Sequence, residues 1–71
     1  MYGYNVIYRK RKGCFHSVIV GRPIAGFELS PDVEEEIVRM FFRQAHPSWT
    51  VIAISSGYYS DSSAFVDVTE I

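Results

Sequence analysis

The segment SPDVEEEIVRMFFRQAHP, from Ser30 to Pro47, constrains this chain more than any other, because both of its ends are written in the sequence. Ser30 stands where a side-chain oxygen can meet the free N–H groups of a helix start, and Pro31 follows at the first helical position with its φ already set. Asp32, Glu34, Glu35 and Glu36 crowd the first turns, where the helix dipole favours anions, and Arg39 and Arg43 lie toward the end that favours cations. Pro47 stops the helix, so it is expected over 31–45. On a wheel of about 100° per residue, Met40, Val33, Ile37 and Phe41 form one apolar stripe. Ala45, Val38 and Phe42 widen it to about 200°, against a usual width of about 100° or a little more. Ile37 and Phe41 are central on the stripe and are the expected core contacts.

Strand signals flank this helix on both sides. YGYNVIYRK and CFHSVIVG are rich in β-branched and aromatic residues, and RKRKG between them reads as a hairpin turn in which Gly13 supplies a positive φ. After the helix, SWTVIAIS is a third strand, SGYYSDSS a turn region and AFVDVTEI a fourth strand. The chain of 71 residues is therefore one α+β domain, residues 1–71, made of two β-hairpins and one α-helix (ββαββ). The simplest assembly is a four-stranded, mainly antiparallel sheet with the helix on one face, and a β-grasp arrangement shares the same element order.

A chain of this size buries about 60% of its surface, enough for one thin core. Yet 48% of its residues are hydrophobic. The helix covers one sheet face only, and an antiparallel sheet with a wet face alternates apolar and polar residues. These strands alternate poorly. The surplus points to a second surface covered by a protein partner or by a second copy in a homodimer. Phe15, Ile19, Phe42, Trp49 and Phe65 are the candidate contacts, joined by Tyr58 and Tyr59 in the GYYSD loop, since tyrosine buries much area at little entropic cost.

Chemistry is harder to assemble. Cys14 and His16 share a strand face and His46 follows the helix, but structural zinc sites take four ligands from two close pairs, and only one short pair is present. Ser55, Ser56, Ser60, Asp61, Ser62 and Ser63, with either histidine, supply the residue types of a hydrolase triad, but they sit in turn sequence without a nucleophile elbow. No Gly-rich phosphate loop is present. The expectation is a protein without catalytic residues, cofactor, metal or small-molecule substrate. Arg9, Lys10, Arg11 and Lys12, beside Tyr8 and Phe15, form the one nucleic-acid candidate. Against it stand the net charge of −1 and the use of exposed charge at hairpin tips to discourage edge pairing. One cysteine excludes an intrachain disulfide, and no signal sequence or bilayer-length apolar run occurs, which places the chain in the cytoplasm and off the membrane as an expectation.

The pattern YNVIYRKRKGCFHSVIV, a helix ending FFRQAHPSW, and then TVIAIS resembles small phage and mobile-element proteins, several anti-CRISPR proteins among them. The likeness is one of size and layout over most of the chain, and it transfers no functional residue. It implies a compact protein that works by occupying a surface of a larger host assembly. The reading of the sequence is a non-enzymatic protein-interaction module, an inhibitor of a host or defence complex. The alternative is a small nucleic-acid-binding protein that uses Arg9–Lys12.

Overall fold

A computed structural model describes residues 1–24 and 26–71. The elements follow in the order β1 (Tyr2–Lys10), β2 (Phe15–Val20), α1 (Pro31–Ala45), β3 (Trp49–Tyr58) and β4 (Phe65–Val66), with 3-10 turns at Ser62–Ala64 and Val68–Glu70. The class is α+β, with one helix and a four-stranded mixed sheet. No helix among the described residues is long and apolar enough to cross a membrane.

The first hairpin forms as its sequence predicts. Tyr4 lies across from Val20, Val6 from Val18 and Tyr8 from His16. The positive φ falls on Arg11 (φ 55°) rather than on Gly13, whose N–H donates to the Lys10 carbonyl at 3.1 Å. The second hairpin does not form. β3 pairs antiparallel with β1, and the two-residue β4 pairs parallel with β2 at the opposite edge, giving the order β3-β1-β2-β4. An Asx-type turn helps redirect the chain: Asp61 Oδ1 accepts from the Ser63 hydroxyl at 2.6 Å and the Ser63 N–H at 3.0 Å. These two bonds, the hydroxyl first, hold the Asp61 carboxyl below its ordinary pKa. Tyr59 bonds to Met1 through both main chains, and Phe65 arrives with its ring over Gly3. A Cβ at Gly3 would stand 2.5 Å from that ring and 2.8 Å from the Val20 carbonyl oxygen, so the close approach requires glycine.

The core lies between the sheet and α1. Tyr4, Val6 and Tyr8 of β1 point into it with Val20, and α1 contributes Val38 and Phe42, all buried. The buried helix face is therefore Glu34–Val38–Phe42, at i, i+4 and i+8, and not the Ile37–Phe41 centre of the apolar stripe, which is half-buried. A polar cluster explains the rotation. Glu34 has no solvent exposure, and its Oε1 accepts from the Tyr4 hydroxyl and from Arg22 Nη1, the latter at 2.7 Å. A buried carboxylate without donors is costly, so the helix rolls to the angle at which Glu34 meets them. Burial, and then the Glu34 hydrogen bond, push the Tyr4 phenol well above its ordinary pKa. Ser30 occupies the N-cap position, but its side chain makes no capping hydrogen bond.

The C-terminal segment closes the core. Val68 is buried, Ile71 packs against the cluster, and the Ile71 main-chain oxygen lies 2.7 Å from His46 Nε2. Asp67 starts the turn by accepting from the Thr69 N–H at 2.9 Å and its hydroxyl at 2.8 Å, and these bonds lower its carboxyl pKa.

Candidate functional site

Strand alternation divides the sheet into a covered and an open face. A register shift between Ile7 and Tyr8 changes the parity of β3: Ile7 lies across from Ala53, but Tyr8 from Val51. Ile52 is the extra residue, and Val51 and Trp49 turn toward the helix with Ile54. Trp49 thus enters a column of stacked rings on the covered side. Its ring centroid is 3.5 Å from His46 and 4.9 Å from Tyr8, and Tyr8 is 5.4 Å from His16, with interplanar angles of 5°, 12° and 20°. Lys10 Nζ sits 5.0 Å from the indole centroid. Trp49 is half-buried and Phe42 is 2% exposed, so both leave the set of surface contacts expected of them. The burial of Phe42 follows from the helix rotation and that of Trp49 from the bulge.

The open face carries Gly3, Asn5, Ile7 and Arg9 from β1, with Phe15, Ser17 and Ile19 from β2 and Ala53 and Ser55 from β3. Phe15 is 65% exposed, and Arg9 lies across from it and from Thr50. The Arg9 Nε is buried, with no hydrogen-bond partner among the described residues. Ile7 is exposed and Ile19 half-buried, with Ser17 donating to Asn5 Oδ1 at 2.8 Å beside them. At the far end Tyr59 and Phe65 are half-buried against each other, edge to face at 5.8 Å. Tyr58 is 82% exposed and leans on Tyr2 from the covered side. Of the seven contacts expected, Phe15 and Ile19 remain together on the open face, Tyr59 and Phe65 close its far end, and Tyr58 stands apart.

Charge is organised in a way that the net value conceals. Lys10 lies across from Trp49, and Arg39 and Arg43 line a cleft of about 200 Å³ with Trp49, Thr50 and Val51. Arg9, Lys10, Arg11, Lys12, Arg39 and Arg43 therefore gather at the hairpin end, six of the seven cations of the chain. The seventh, Arg22, is bound to Glu34 at the other end. Composition alone could not show this, because the two contributing segments are 27 residues apart from Lys12 to Arg39. The Glu34–Tyr4–Arg22 cluster was missed for a related reason: nothing in the acidic run of 34–36 distinguishes the one carboxylate that turns inward.

Cys14 is exposed, and His16 and His46 are held apart at the two ends of the ring column. Among the described residues no three His, Cys, Asp or Glu side chains gather into a metal-binding group. Ser55 and Ser56 lie in β3, Asp61 is engaged by Ser63, and the side chain of Ser62 lies outside the described part. No family model matches the chain, and no curated protein and no solved structure matches it.

Proposed function

We propose that this protein is a non-enzymatic interaction module that docks on a larger protein through the open face of its sheet. The carrying observation is the pair of exposed apolar groups Phe15 and Ile7 on the sheet face that α1 does not cover, with Arg9 across from Phe15 and the half-buried Ile19 beyond the Ser17–Asn5 hydrogen bond. An exposed phenylalanine flanked by aliphatic side chains fits an apolar protein surface, since isoleucine offers a nucleobase no stacking plane. The neighbouring cations suit a partner with an acidic rim and speed encounter with it. The resemblance of the sequence in size and element order to small phage and mobile-element proteins is the reason for placing that partner within a host or defence complex.

The test is capture from extract of the native host, read by mass spectrometry, with wild-type protein and the Ile7→Asp, Phe15→Ser variant side by side. Both sites are exposed, so circular dichroism should show the fold retained. The expected result is a defined partner lost on the double substitution. Equal capture by both proteins, or turnover of a substrate that vanishes with a single Ser or His substitution, overturns the reading.

A second reading rests on the gathered cations: nucleic-acid binding at the hairpin end. It requires an affinity for DNA or RNA that falls steeply with salt and is lost when Arg9, Lys10, Arg11 and Lys12 become serine.

A further inference from the structure

We propose that the free edge of β3 pairs with β3 of a second copy of this chain, antiparallel about a two-fold axis, joining two four-stranded sheets into one. This contact is independent of what the open face binds.

The two sheet edges differ sharply. β4 spans two residues, whereas β3 runs ten residues as WTVIAISSGY, with no charge and no proline. Proteins protect exposed edges with charge, proline, short strands or bulges, and an unprotected edge is a template for another strand. β3 has one such device, the bulge at Ile52, and Ile52 itself is 48% exposed there.

The helix beside this edge is self-complementary. At about 100° per residue, Asp32, Glu35, Glu36, Arg39 and Arg43 share one side of α1. That side looks toward β3, because Arg39 and Arg43 line the cleft along Trp49–Val51. Its first half is acidic and its second half basic. Among the described residues, Arg39 has one carboxylate within 4.0 Å, that of Glu36, and Arg43 has none.

Register fixes where the axis falls. Phe42 packs on Tyr8, which lies across from Val51, and Glu34 meets Tyr4, which lies across from Ser56. The middle of the charged helix flank therefore stands beside Ala53 and Ile54. A two-fold axis through that point, normal to the sheet, sets both helices on one face and antiparallel. Arg39 and Arg43 of each copy then face Asp32, Glu35 and Glu36 of the other, the reciprocal contact that an isologous interface demands. The cleft along Trp49–Val51 receives the acidic side chains.

Sedimentation equilibrium tests this. Wild-type protein should be a dimer. Ile52→Lys, which adds a charge at an exposed edge position, should weaken the dimer at least tenfold while leaving the circular dichroism spectrum unchanged. The variant Arg39→Glu, Arg43→Glu and the variant Glu35→Arg, Glu36→Arg should each be monomeric alone, and their equimolar mixture should regain the dimer mass. A wild-type monomer at high micromolar concentration overturns the proposal, as does a dimer indifferent to Ile52→Lys, or a mixture that stays monomeric.

Discussion

Glu34 is the residue on which the interior turns. Its Oε1 serves both Tyr4 and Arg22, while its Oε2 is buried with no hydrogen-bond partner among the described residues, so removing one donor leaves a carboxylate still less compensated. Tyr4→Phe should cost about 1–3 kcal/mol, the penalty of a buried group losing a partner. The pH dependence gives a second signature. The Tyr4 pKa is raised on folding, so its contribution is fully present below the ordinary tyrosine value of about 10 and is lost as pH rises toward the folded value. Wild-type stability should fall above about pH 10, and Tyr4→Phe should flatten that part of the profile. Urea titrations at neutral and alkaline pH read both effects, and an unchanged alkaline slope in the variant would show that Tyr4 does not carry it. Ser30 teaches the opposite lesson. Its identity and position signal a cap, yet its side chain makes no capping bond, because propensity records what a residue can do and not which partner it takes.

At the scale of elements, the first hairpin and the helix bounds were legible because their signals are local: β-branched runs, a basic turn, and prolines at Pro31 and Pro47. The helix face was not. An apolar arc of about 200° leaves the roll angle open, and the buried Glu34 settles it in favour of Val38 and Phe42. Phe42→Ala should therefore cost about 3–5 kcal/mol, whereas Met40→Ala, at a position 49% exposed, should stay within about 0.5 kcal/mol. Thermal melts of the two variants check this, and comparable losses would restore the stripe centred on Ile37 and Phe41. The fourth strand was mistaken for a hairpin partner of the third because nearness in sequence predicts pairing. Here β4 instead joins β2 at the far edge, with the Phe65 ring against Gly3, a contact 62 positions away that no local pattern encodes. The bulge at Ile52 was equally invisible, and it alone moves Trp49 from the open face to the covered one.

The whole molecule is 34 Å long and electrically polarised, with six cations at one end and the bound Arg22 at the other. The surplus of apolar residues inferred from composition divides into three parts. Some of it fills the core, as Phe42 does, or packs half-buried against it, as Trp49 does. Some closes the far end, as Tyr59 and Phe65 do. The remainder is spread over the surface, with Phe27, Val33, Met40, Ile52 and Tyr58 exposed away from the open face; Phe15 and Ile7 are the part that lies on the open face beside the cations, and there the account places the partner. Amide hydrogen exchange on the captured complex, compared with the free protein, tests that placement most directly. The account predicts slowed exchange across the turn and β2, from Lys10 to Ser17, with α1 and the 21–30 loop unchanged. Protection confined to α1 or to that loop, with the hairpin exchanging as in the free protein, would contradict it.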